Sequence, residues 1–135
     1  MLIYITASVS GIITMMLLDY IWLAKLAKSF YLDKLSSHIT VTNDSLVPYL
    51  PAVPLVYIVA IVAIWVFVLS SATTLLQATL YGALLGFFMY AFYDFTNLAT
   101  LRDYPWSLTI VDTIWGTVLI AVTTVIMYYV KSLLA

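Results

Sequence analysis

Long apolar runs separated by a few polar stretches make up most of this chain. Four of them, at about residues 2–24, 51–69, 76–98 and 108–130, approach or exceed the roughly 20 helical residues that cross a bilayer core of about 30 Å. Strands are a poor alternative. A membrane barrel needs many short alternating segments, whereas these runs are long and apolar on every side. The connections at 70–75 and 99–107 are short, so successive helices are expected to be antiparallel neighbours. The expected fold is all-α: a single integral membrane domain over 1–135, an antiparallel bundle of four transmembrane helices. The first run has no basic residue ahead of it and no small-residue cleavage site, and it is too long for a signal-peptide core, so it is read as a retained span.

The connection at 25–50 has a pattern of its own. Leu23, Leu26, Ala27, Phe30 and Tyr31 alternate with Lys25, Lys28, Ser29 and Asp33 at a spacing that suits an interfacial helix. A polar loop follows, and Pro48, Pro51 and Pro54 set the entry to the second span, where a missing N–H costs least.

Composition agrees with this pattern and narrows the function. Hydrophobic residues make up 65% of the chain and charged ones 8%, against about 25% charged in a soluble domain. Five Lys and Arg against six Asp leave a net charge of −1, which gives no basis for capturing nucleic acid. There is no Cys, which excludes disulfides, thiolate metal sites and thiol catalysis. His38 lies in a polar loop without a nearby ligand pair, so neither a metal nor a cofactor is expected.

Basic residues near the spans set the expected orientation. Lys25, Lys28, Lys34 and Arg102 fall on one side and Lys131 on the other. The first side is therefore expected to be cytoplasmic, with both termini outside.

Three of the six acids, Asp19, Asp94 and Asp112, lie inside expected spans. Each costs roughly 2.5–3.5 kcal/mol at the centre of a span and less near its end. Along an antiparallel path all three reach the same membrane side. Asp19-Tyr20-Ile21-Trp22 and Asp112-Thr113-Ile114-Trp115 share the pattern D-x-[IL]-W, which puts Asp and Trp on one helix face. The third span carries Gly82 and Gly86, a small-residue packing stripe, and then Tyr90, Tyr93, Asp94 and Asn97 as a polar stripe. The bland alternative is that each Asp snorkels, caps a segment or pairs with Lys25 or Arg102, while Trp and Tyr serve as interfacial belts. Tyr128 and Tyr129 fit the belt reading.

Residues Tyr81 to Gly116, with Y-G-A-L-L-G, Y-D-F-T-N-L-A-T-L and V-D-T-I-W-G, closely resemble the bacterial membrane proteins grouped as the domain-of-unknown-function 2177 family. Asp19 to Trp22 and the Phe30-Tyr31 pair match the N-terminal pattern of that family. Where the family often has Trp before the proline of the last short loop, this chain has Tyr104. The resemblance implies a four-span inner-membrane protein and brings no activity with it.

Two classes of function follow. The first is binding or modification of a membrane lipid or isoprenoid, with Asp94 as central acid, Asp19 and Asp112 as partners, Tyr90, Tyr93 and Asn97 as polar contacts, and Trp22 and Trp115 shaping the pocket. A carboxylic acid there could donate a proton to a double bond or orient a head group. The alternative is proton- or ion-coupled transport, for which four spans would call for a homo-oligomer. A third option is assembly with another membrane protein through the Gly82 and Gly86 face.

Overall fold

The computed structural model describes residues 1–35, 40–43 and 45–135; His38 lies outside them. The fold is helical. α1 (Leu2–Ile21) runs on through a π-helical turn, Trp22–Leu26, and α2 (Lys28–Leu35) follows. A minimal hairpin, Val41–Thr42 with Ser45–Leu46, interrupts the next connection. At its turn Asn43 takes the left-handed conformation, φ 49°, which Asn tolerates better than most residues. α3 (Val53–Ala63) continues as a π-helical segment, Ile64–Leu69, and α4 (Leu75–Thr100) and α5 (Trp106–Leu134) complete the chain.

Among the described residues three helices are long and apolar enough to cross a membrane: Leu2–Leu26, Leu75–Thr100 and Trp106–Leu134. Val53–Leu69 is a shorter apolar helix, because Pro54 sits in its first turn and Ala52 is the last residue ahead of it. Large apolar side chains point outward along these helices, among them Val9, Ile13, Leu84, Phe88, Phe92 and Ile114. A soluble protein does not leave such a surface in water. The chain is a multi-pass membrane protein.

In lipid, helices gain little from hiding apolar area from one another and associate through close van der Waals packing. The seam between α4 and α5 is the most extensive helix contact, and glycines make it possible. A Cβ on Gly82 would lie 2.7 Å from the Thr124 hydroxyl, and one on Gly86 would run into the Gly116 carbonyl oxygen and sit 2.8 Å from Ile120 Cβ. A Cβ on Gly116 would enter the ring of Tyr90. Numbering rises on one helix as it falls on the other, so these two pass in opposite senses. α5 packs against the Gly82 and Gly86 face of α4. α1 lays Gly11 against Ile61 and Met127, and Met15, Ile64, Leu119, Ile120 and Met127 form the buried centre.

The two ends of the bundle differ. At one end Trp65 donates to Ser8 Oγ at 2.9 Å, the Tyr128 hydroxyl donates to the Thr73 carbonyl at 3.0 Å, and Lys131 Nζ donates to the Leu69 carbonyl at 2.8 Å. The last two bonds meet backbone carbonyls in the π-helical segment and the turn after it. At the other end α2 folds back over the bundle. The π turn gives Ala27 N–H the Trp22 carbonyl at 2.7 Å, and Ala27 (φ −107°, ψ 6°) breaks the helix. α2 therefore leaves in a new direction, and Tyr31, expected at the membrane interface, is 4% exposed and packed with Ala27 and Leu108.

Candidate functional site

All three intramembrane acids lie at the α2 end. The two D-x-x-W segments interlock, each tryptophan serving the aspartate of the other helix. Trp115 Nε1 of α5 donates to Asp19 Oδ1 of α1 at 3.2 Å. Trp22 Nε1 donates to the Tyr31 hydroxyl at 3.2 Å, and that hydroxyl donates to Asp112 Oδ1. The indoles of Trp22 and Trp115 stack, with ring centroids 4.5 Å apart and planes 4° from parallel. Asp19 Oδ2 also accepts from the Tyr57 hydroxyl of α3 at 3.2 Å. Four elements thus converge on two carboxylates through aromatic donors, which satisfy a charged oxygen while keeping an apolar body toward lipid.

Asp94 sits deeper in the α4–α5 seam and is fully buried. Its Oδ1 accepts from the Tyr104 hydroxyl at 2.9 Å. Tyr104 reaches back because the α4–α5 turn reverses sharply: Asp103 takes φ 59°, and Pro105 begins the entry to α5. Asn97, one turn beyond Asp94, meets the same Tyr104 hydroxyl. The Asp112 carboxyl and the Thr113 hydroxyl lie close enough to Asp94 to interact with it. Neither gives Asp94 Oδ2 an ordinary hydrogen bond, and that oxygen is buried without a donor, as are the hydroxyls of Thr109 and Thr113. Two carboxyl groups so placed attract only with a proton between them.

Burial and the neighbouring Asp112 push the Tyr31 phenol above its ordinary value, and burial does the same to Tyr104. Both stay protonated and act as donors.

A cavity of about 590 Å³ opens beside this network, within the range of small-ligand sites, about 300–1,000 Å³. Asp19, Asp112, Trp115, Tyr31, Tyr57 and Tyr90 line its polar side. Met16, Leu23, Leu35, Val47 and Val53 line the apolar one, and Lys28 also borders it. Among the residues expected to form a site, Asp19, Asp112, Tyr90 and Trp115 border the cavity directly. Trp22 stacks behind Trp115, Asp94 and Asn97 stand behind Asp112 and Tyr104, and Tyr93 is exposed on the outer face of α4.

No acid in this cluster has a basic partner among the described residues. Among the described residues the one ion pair is Lys34 with Asp33 at 2.7 Å, near the end of α2. Lys25 lies 5.9 Å from the centre of the Tyr20 ring. No group of three His, Cys, Asp or Glu among the described residues could hold a metal ion.

The profile of a family described as a predicted membrane protein, DUF2177, matches residues 4–129. The chain belongs to this family. The match takes in both D-x-x-W segments, Asp94 and every residue bordering the cavity. No curated protein and no solved structure matches the chain.

Several contributors to the DUF2177 cluster carry no sequence signal of their own. Tyr57 sits in an apolar run that could have held any aromatic, and Lys28 reads as an interfacial cation. Tyr31 and Tyr104 had a partial signal. Tyr31 falls in the Phe30-Tyr31 pair and Tyr104 stands before Pro105, the two places where the resemblance drew attention to an aromatic.

Proposed function

We propose that this protein is a four-span bacterial inner-membrane protein, an antiparallel bundle that binds an amphipathic molecule of the bilayer, a lipid or an isoprenoid. The polar end of that molecule rests on Asp19 and Asp112 and its body on the apolar side of the cavity. The observation that carries this reading is the cavity lining. It joins two intramembrane carboxylates to a continuous apolar wall, the combination that fixes one end of a small molecule and solvates the rest. Asp94 sits behind Asp112 as a third acid that tunes it.

The basic residues at the α2 end and in the α4–α5 turn support a cytoplasmic position for that end, with both termini outside. A terminal tag reachable only from the periplasm supports this orientation.

Lipid analysis of the protein purified in native nanodiscs tests the binding. One species should be enriched over the surrounding membrane and should be lost when Asp19 and Asp112 are both replaced by Asn. The same lipid composition in wild type and the double variant overturns the reading.

The contact between Asp94 and Asp112 favours a second reading, proton-coupled transport, because a proton held there would leave when a ligand approached Asp112. A pH-gradient-driven flux into vesicles, abolished by Asp94→Asn, would support it.

A further inference from the structure

We infer that the polar end of the molecule held in this cavity is a cation, an ammonium-type head on an apolar body. This deepens the binding reading above and rests on it.

Three of the hydrogen-bond donors at the cavity speak against an anion. Trp115 Nε1, the Tyr57 hydroxyl and the Tyr31 hydroxyl all point at carboxylate oxygens and are already engaged. A phosphate or carboxylate head would have to take these donors from Asp19 and Asp112 and then sit beside both acids. Like charges at that separation in a poorly screened site repel strongly.

The acceptors point the same way. Asp19 and Asp112 border the cavity and have no basic partner among the described residues. A cationic head supplies what is missing. The remaining polar surface suits it, because the rings of Tyr31, Tyr57, Tyr90 and Trp115 border the same space, and aromatic faces attract ammonium groups, most strongly where water is excluded.

Lys28 makes the inference testable. It borders the cavity but forms no ion pair among the described residues. If the ligand is anionic, Lys28 is its natural partner and removing the charge weakens binding. If the ligand is cationic, Lys28 competes with it for the carboxylates and removing the charge strengthens binding.

The experiment uses the full chain in nanodiscs and three photoactivatable probes with one decyl chain and different heads: trimethylammonium, phosphate and hydroxyl. Cross-links are located by mass spectrometry. The trimethylammonium probe should label the cavity wall at Met16, Leu23 or Val53. That labelling should fall at least about tenfold in Asp19→Asn, the loss expected for a charge-assisted contact, and rise several-fold in Lys28→Gln. Circular dichroism and size-exclusion profiles matching wild type establish that Asp19→Asn has folded. Should it fail to fold, Lys28→Gln decides alone, since its sign differs between the two head groups. Preferential labelling by the phosphate or hydroxyl probe, equal labelling by all three, or weaker trimethylammonium labelling in Lys28→Gln overturns the cation and leaves the binding reading standing. No cavity labelling by any probe overturns both.

Discussion

Replacing Tyr31 by Phe removes one oxygen from the centre of the α2 end. The ring keeps its place between Ala27 and Leu108, so apolar burial is unchanged and the loss is confined to hydrogen bonding. Two bonds disappear: the donation to Asp112 Oδ1 and the 3.2 Å bond received from Trp22 Nε1. A hydrogen bond to a charged group contributes about 1.5–3 kcal/mol and a neutral one about 0.5–1.5. The expected destabilisation is therefore about 2–4 kcal/mol, measured as unfolding of the purified protein on titrating dodecyl sulfate into mixed micelles and followed by circular dichroism. Trp22→Phe alone should cost the smaller share. In the Tyr31→Phe background it should cost almost none of its hydrogen-bond share, because the acceptor has already gone, giving a coupling of about 1 kcal/mol in the double-mutant cycle. A loss of α2 docking should also expose Lys25, Lys28 and Lys34 to trypsin. If Tyr31→Phe unfolds within about 0.5 kcal/mol of wild type, the range of an ordinary surface substitution, then this hydroxyl does not hold α2 onto the bundle.

Two further pairs of substitutions test the rest of the framework by the same unfolding assay. Gly86→Ala should destabilise by at least about 1–3 kcal/mol, because its Cβ meets the backbone of Gly116, whereas Gly11→Ala should cost less, since the atoms in its way are the flexible ends of Ile61 and Met127. Equal effects would mean that the α4–α5 backbones are not this close. Tyr104→Phe deprives Asp94 of its one ordinary hydrogen bond among those described and should cost about 1.5–3 kcal/mol, while Tyr104→Trp, which restores a donor, should recover part of it. No recovery would mean that an indole N–H cannot stand in for the Tyr104 hydroxyl.

Much of the helical layout was legible because lipid imposes a simple rule, that the backbone must satisfy itself within each apolar segment. The runs at 2–24, 76–98 and 108–130 correspond to helices that extend a few residues further, whereas the run at 51–69 corresponds to the shorter apolar helix Val53–Leu69, which starts just after Pro51. The convergence of Asp19 and Asp112 was legible in the repeated D-x-x-W spacing, because a three-residue offset fixes a common face. That each Trp would serve the opposite Asp was not, since it depends on how α1 and α5 pass one another. The π turn at Trp22–Leu26 is equally silent. An inserted residue rotates everything beyond it by about 100°, which is how Tyr31 comes to face inward. The same rotation per residue separates Asp94 from its neighbour Tyr93. Tyr90, Asp94 and Asn97, at offsets of four and seven, share the inward face, and Tyr93 falls outside it.

The unequal ends of the bundle bear on whether one chain could move a ligand across the bilayer. Below the acids, the centre is filled by Met15, Ile64, Leu119, Ile120 and Met127, each at most 2% exposed, and the far end is tied by the Trp65, Tyr128 and Lys131 hydrogen bonds. A polar path would have to open that plug, separating a glycine seam whose backbones are nearly in contact. A ligand that enters and leaves beside α2 needs no such movement. Because the chain has no native Cys, single cysteines at 28 and 119 can distinguish the two. In a binding protein, a membrane-impermeant maleimide should label Lys28→Cys from the α2 side and leave Leu119→Cys unmodified from either side, with or without ligand. Labelling of Leu119→Cys that grows when a ligand is added would show the plug opening during a cycle, and would move the balance from binding to transport.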